Sequence, residues 1–282
     1  MIIVTHLLYT EIPYLDEWIS FHKAQGFTTF YIYIKYGNLT YGTFINKDEE
    51  IFNSLVQKYI NTGVYFIHID SVPMIHINHF FKHIAHSYID QWCAILDIDE
   101  FIHSNKKGVS IKEITEEYNK RNINYVLVNW LCFGSNGVID NPKYEVINKF
   151  KKPTNRFAGI NFTGKSFLKI TNQVINKDRV TNNTHRLMFG KYYTTKGILV
   201  SEQNKRHFRQ LKKGRNVYLR GIRKKGMPVK LNFIYVYPEK EPNLIINHYI
   251  TRSYNEYRRK ISLNKTKKGR YNMRFFNYIN RL

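Results

Sequence analysis

Three carboxylates fall within four residues at the end of an apolar run, Leu96-Asp97-Ile98-Asp99-Glu100-Phe101. The approach to them, Trp92-Cys93-Ala94-Ile95-Leu96, reads as a short strand buried on both faces of a largely parallel sheet. The acids then sit at its carboxyl end, where open α/β sheets bind their ligands. Carboxylates this close repel unless they share a cation, and hard oxygen donors favour Mg²⁺ or Mn²⁺ over softer metals. Asp97 and Asp99 are therefore the candidate metal ligands, placed to hold a divalent cation against a diphosphate. The plainer use of the same residues is to cap a helix or to sit solvated in a loop.

The elements around this run have to deliver it to a sheet edge. Residues 2–8 read as a first strand. A helical segment follows from Thr10 or Glu11, with Pro13 at its start and Gly26 as its stop, and Tyr14, Leu15, Trp18, Ile19 and Phe21 form its apolar face. Thr28 to Ile34 is rich in aromatic and β-branched residues and reads as a second strand, completing a βαβ start. Beyond the loop Lys35 to Thr43, the spacing predicts a helix over about 48–61 closed by Gly63, a strand over 64–69 and a helix over about 75–88. A helix near 111–120 and a strand over 125–130 follow the acidic run. The alternation argues for a doubly wound, mostly parallel α/β sheet. From about residue 143 the pattern loosens into short strands, such as 165–170 and 231–237, and closes with helices near 253–263 and 271–279.

Charge divides the chain at the same place. Residues 1–142 hold 10 Lys/Arg against 15 Asp/Glu, a net of −5, while residues 143–282 hold 34 against 6, a net of +28. We read 1–142 as the ligand-binding α/β part and 143–282 as a basic, less regular subdomain of one continuous domain. A basic half of this size attracts polyanions: nucleotide diphosphates, anionic lipid head groups, acidic glycans or nucleic acid. Cys93 and Cys132 lie in apolar runs and read as buried hydrophobes in a reducing compartment rather than as a disulfide. The apolar start lacks a basic leader and a cleavage site, and no apolar run approaches a bilayer's span, so a cytoplasmic protein is expected. The Asn-x-Thr triplets at Asn161 and Asn182 are expected by chance in so Asn-rich a chain.

Several pieces, taken in order, resemble the GT-A glycosyltransferases of the family 92 and family-2-like group. They are Glu11 to Ile19 with His22 and Gly26, Trp92 to Phe101, Asn129 to Gly137, Lys165-Ser166, and Asn247 to Ser253 with Glu256 and Lys260. The resemblance implies a GT-A-like fold and a nucleotide-sugar donor bound across the first βαβ unit, with Thr10, Glu11, Asp97 and Lys165 as donor-binding residues. It implies Mn²⁺ or Mg²⁺ on Asp97 and Asp99, with a downstream histidine, His185 or His248, completing the shell. The acidic turn that such enzymes carry after the second strand is replaced here by Tyr33-Ile34-Lys35-Tyr36-Gly37-Asn38-Leu39-Thr40, so an acid for the base or ribose is missing.

On this reading a metal neutralises the departing diphosphate while an acceptor hydroxyl attacks the sugar. Lys165, Lys169 and Arg186 are basic residues that could assist. If transfer inverts the anomeric carbon, a carboxylate must take the hydroxyl proton, and Asp140 and Glu145, beyond the Gly134 to Gly137 loop, are candidates in a region poor in acids. His76, His79, His83 and His86 share one side of a helix; zinc binding is the sharp reading, and a core role between Phe80, Phe81 and Ile84 the plain one. The basic, aromatic segment Tyr254 to Leu282 suits a membrane surface that carries a lipid-linked acceptor. It equally suits single-stranded nucleic acid, so a non-catalytic nucleic-acid-binding module or an inactive transferase relic stands as the rival to transfer onto a glycan or glycolipid.

Overall fold

The structure, a computed structural model, describes residues 1–35, 46–69, 75–176, 191–201, 236–263 and 272–282. Its frame is an eight-stranded sheet. The strands are β1 (Ile2–Leu7), β2 (Thr29–Lys35), β3 (Val64–Ile69), β4 (Trp92–Ile95), β5 (Glu100–Ser104), β6 (Tyr125–Cys132), β7 (Gly164–Lys169) and β8 (Leu244–His248). Across the sheet they run β3-β2-β1-β4-β7-β6-β8-β5. The pairs from β3 to β4 are parallel, as is β6 with β8, whereas β7 runs antiparallel to both β4 and β6, and β5 antiparallel to β8. The fold is α/β and GT-A-like. β7 and β8 come from the basic half of the chain and are hydrogen-bonded to strands of the acidic half.

Alternation along the strands fills both faces. Ile3, Phe30 and Ile32 join one core with Trp18 and Ile19 of α1 (Leu15–Ala24), Phe52 of α2 (Asn46–Tyr59) and Ile114 of α4 (Ile111–Lys120). Ile2, Val4, Tyr31 and Tyr33 join the other with Ile77, Phe80 and Phe81 of α3 (Ile75–His83) and Val174 of α5 (Asn172–Ile175). Two further helices, α6 (Tyr254–Leu263) and α7 (Met273–Ile279), close the described chain. Among the described residues, no helix is long and apolar enough to cross a membrane.

Three local readings change. The segment Tyr9–Tyr14 is a 3₁₀ turn with Pro13 inside it, and the α-helix starts only at Leu15. The Glu11 amide donates to the Leu8 carbonyl, the tight i to i+3 pattern of that turn. The helix expected over 75–88 stops at His83 and ends in a 3₁₀ turn, Ala85–Tyr88. Of the strand expected over 231–237, residues 231–235 lie outside the described part, and Val236 and Tyr237 are not in a strand. β5, which directly follows the acidic run, was not expected at all.

Candidate functional site

The topology brings six strand ends to one edge. β1, β4, β6 and β8 finish there, and the antiparallel β5 and β7 begin there. Five of them contribute a polar side chain: His6 from β1, Asp97 and Asp99 after β4, Glu100 opening β5, Lys165 near the start of β7 and His248 ending β8. Lys260 reaches in from α6. The edge is the carboxyl end of the parallel strands, where α/β sheets bind ligands.

Each aspartate has one oxygen on a lysine and the other turned to a histidine. Lys165 Nζ is 2.7 Å from Asp97 Oδ2, and His6 Nδ1 is 3.8 Å from Asp97 Oδ1. Lys260 Nζ is 3.5 Å from Asp99 Oδ2, and His248 Nε2 is 3.5 Å from Asp99 Oδ1. Glu100 lies beneath them, fully buried, with Oε2 accepting the Asp97 amide at 3.0 Å and standing 3.4 Å from Lys165 Nζ.

The charges sort accordingly. Burial alone would raise Asp97, but Lys165 and then His6 outweigh it and hold the carboxyl well below the usual range. Asp99 behaves alike, with Lys260 and His248 outweighing burial. Glu100 goes the other way: burial, then the two aspartates, push it well above its ordinary value against the pull of Lys165. The buried ammonium therefore favours the charge on Asp97 over that on Glu100. Glu11, beside Asp99, is pushed up to about 7 by burial and by that neighbour, against the pull of Arg252 and Lys260.

The sequence pieces around the site turn out to be its braces. Trp18 Nε1 donates to the Glu100 carbonyl at 2.8 Å. His22 Nε2 accepts the Ile102 amide at 3.2 Å, while Nδ1 donates to the Trp18 carbonyl at 2.8 Å. α1 is thus pinned to β5, and His22 can do both jobs only as the neutral ring. Asn129 donates to the carbonyls of Asn161 and Val236, and Asn161 Oδ1 accepts the Cys132 amide. Gly164 admits no side chain, since a Cβ there would stand 1.9 Å from the Val128 carbonyl oxygen; this close pairing with β6 sets Lys165 at depth.

His22 carries a pH prediction. Burial pushes its pKa down to about 3, below the ordinary imidazole value, so as pH falls the unfolded chain takes up the proton first. Its contribution is whole above about pH 6.5 and shrinks below it. Urea unfolding of wild type and His22→Gln should show a stability gap that is constant above neutrality and narrows steadily toward acid; a gap that widens would refute the neutral-ring assignment.

Other expected site residues are spread more widely. Lys169 pairs with Asp90 at 3.0 Å. It stands opposite Trp92, the first residue of β4, so β7 carries it to the other edge, about 13 Å from Lys165 at strand rise. That removes it from the site. Thr10 lies in the turn beside Glu11. Asp140 is exposed, its Oδ1 accepting from Asn255 at 2.6 Å, and Glu145 is exposed too. Glu17 grips their loop, its carboxylate accepting the amides of Val146 and Ile147. His185 and Arg186 lie outside the described residues, as do residues 36–40 of the altered turn. His76 is buried against His6 with ring centres 5.1 Å apart, and His79 Nδ1 is 3.0 Å from the Tyr33 hydroxyl. Sequence reasoning gave no role to Glu100, Lys260, His6 or Arg252, although Glu256 and Lys260 recur at the four-residue spacing of one helix face.

The donor set suits a hard cation: Asp97 Oδ1, Asp99 Oδ1 and the His248 imidazole. Among the described residues no three such side chains are drawn together as a ready-made cage. Mg²⁺ is commonly held by one or two carboxylates together with substrate phosphate oxygens. A cleft of roughly 610 Å³ opens between the Gly134–Gly137 loop, Lys152–Thr154 and α7. Asn280 of that C-terminal segment accepts from the Ser135 amide and hydroxyl at 2.7 and 2.8 Å.

No family model and no curated protein matches this sequence. Some solved structures align loosely with part of it. HddC from Yersinia pseudotuberculosis is 15% identical over 64% of this chain and 75% of its own, with a TM-score of 0.33. A 4-diphosphocytidyl-2C-methyl-D-erythritol synthase from Anaerococcus prevotii DSM 20548 is 11% identical over 76% of this chain and 96% of its own, at 0.32. A UDP-glucose pyrophosphorylase is 14% identical over 63% and 71%, at 0.29. Superpositions this loose leave the functional argument to the site.

Proposed function

We propose that the protein is a metal-dependent glycosyltransferase that moves a sugar from a nucleotide-sugar donor to a glycan or lipid-linked acceptor. The observation that carries this reading is the pair of aspartates at the carboxyl edge of the parallel strands, each with a lysine on one oxygen and the other left toward a histidine. Asp97, Asp99 and His248 would hold Mn²⁺ or Mg²⁺, which when bound supplies positive charge to the departing diphosphate.

The chain's own groups do the rest. Lys165 is fully buried and saturated by carboxylates, so it orients Asp97 rather than touching the donor. The acceptor oxygen bonds to the anomeric carbon as the bond from that carbon to the diphosphate breaks, its electron pair leaving with the diphosphate. The hydroxyl proton must reach a carboxylate. Glu11 takes this role ahead of the exposed Asp140 and Glu145, because it is buried beside Asp99 and binds a proton near neutrality. The cleft beside the Gly134–Gly137 loop is the acceptor's space, and exposed Arg258 and Arg259 on α6 would meet an anionic membrane surface if the acceptor is lipid-linked.

The test is thermal stabilisation by UDP-, GDP-, dTDP- and CMP-sugars, each with Mn²⁺, with Mg²⁺ and with chelator. Because the cation shell needs substrate oxygens, metal alone should shift the melting temperature little, and one nucleotide class with metal should shift it by several degrees. No shift with any donor and metal would reject the assignment.

A further inference from the structure

Arg252 is held as arginine seldom is. Its backbone is left-handed, with φ at 49°, a conformation that glycine or asparagine takes more readily. Its guanidinium gains few hydrogen bonds there, since Nε and Nη2 are buried without a partner. The guanidinium carbon lies 3.8 Å from the centre of the Tyr14 ring. Tyr14 is 1% exposed, and its hydroxyl too is buried without a partner. A guanidinium with two unmet donors, stacked on a tyrosine ring whose hydroxyl is also unmet, calls for an explanation, and a guanidinium can only donate. The missing partner is an acceptor.

We infer that Arg252 and Tyr14 form an oxyanion-binding site for a phosphate or carboxylate group of a substrate, on the α6 side of Asp99 and apart from Lys165. In naming a substrate it rests on the transferase reading, although the binding itself needs no transfer. Arg252 immediately precedes Ser253, which caps α6: the Ser253 amide and hydroxyl both donate to Glu256, whose own amide returns to the hydroxyl. Arg252 thus stands just outside the N-terminus of a ten-residue helix. Lys260 lies two turns along the same helix. The opposing charges are Asp99, already engaged by Lys260 and His248, Glu11, and Glu256, which is engaged by Ser253. Tyr144, 41% exposed, leans edge-on against Tyr14 at 5.4 Å, so its displacement opens the way in.

The experiment is calorimetric titration of the full chain, in chelator, with inorganic pyrophosphate and separately with glucuronate. Four proteins are compared: wild type, Arg252→Asn, Tyr14→Phe and Lys112→Gln, the last a control at an exposed position on α4. Asparagine tolerates the left-handed backbone, and Tyr14→Phe keeps the ring, so one variant tests the site even if the other folds poorly. Binding of at least one probe should weaken about tenfold or more in Arg252→Asn and several-fold in Tyr14→Phe, and stay unchanged in Lys112→Gln. Loss for pyrophosphate alone identifies the donor's diphosphate as the ligand, and loss for glucuronate alone an acidic acceptor. Wild type binding neither probe, both variants binding like wild type, or an equal loss in Lys112→Gln overturns the site. With metal absent and no turnover measured, these outcomes do not depend on whether nucleotide sugars bind.

Discussion

Lys165→Met should cost about 3–5 kcal/mol of stability, the range for removing one partner of a buried ion pair. The lysine is fully buried and is the ammonium within 4 Å of both Asp97 and Glu100. Methionine fills much of the same volume, so the loss reads as charge rather than cavity. Asp97 would then sit near Glu100 and Asp99 without its closest cation. Its folded-state pKa, now held below the ordinary value, should rise above it. The sign of the pH dependence follows. Wild type draws stability from Asp97 at pH values above the unfolded carboxylate pKa and loses it in acid, whereas the variant is penalised near neutrality and relieved as Asp97 takes up its proton. Urea unfolding should show a gap that narrows as pH falls toward about 4, and Asp97→Asn placed on the variant should restore part of the loss. A cost under about 1 kcal/mol, the level of an exposed pair, would mean that Lys165 is not the buried cation described here.

Asp99→Asn should lower kcat/KM for sugar transfer by about 10²–10³-fold or more, the scale set by removing one electrostatic stabiliser of a transition state. Asparagine keeps the size of the side chain and loses its charge. The oxygen toward His248 stops being a hard anionic ligand, and Lys260 loses its carboxylate. The fold should survive, because Asp99 is one of three clustered acids and its neutralisation relieves Glu11 and Glu100 while it deprives Lys260 and His248. Steady-state kinetics with the donor found by thermal stabilisation, beside a melting curve of the variant, checks both halves. Transfer that persists with the fold intact would dismiss the metal-held diphosphate as the source of catalysis.

Much of the frame was legible because it is written in local patterns. The apolar run Trp92 to Leu96 read as a strand covered on both faces, with its acids at a ligand-binding edge, and β4 is such a strand. The first βαβ unit was readable from aromatic and β-branched runs broken by Gly26 and Gly63, and its strands match to within a residue or two. β5 was not readable: Glu100-Phe101-Ile102-His103-Ser104 is short, opens on a charge and becomes a strand because Trp18, His22 and β8 hold its backbone. The quoted motif pieces were visible while their jobs were not. Trp18, His22 and Asn129 looked like signatures of a site and are braces for it.

The sequence by itself determined the class of the fold, the two aspartates and the strand that carries them, since strand periodicity and burial depend on neighbours along the chain. Only the tertiary structure decided which charges meet. Lys165 and Lys169 are four residues apart on one strand and equally basic, yet the antiparallel entry of β7 between β4 and β6 sends one to the acids and the other to Asp90 at the far edge. It likewise set Lys260 on Asp99 from a helix 161 residues away, and left Arg252 on Tyr14 with its donors unmet. Electrostatic partnership falls off with distance through space and not along the chain, so no spacing in the sequence could have announced it.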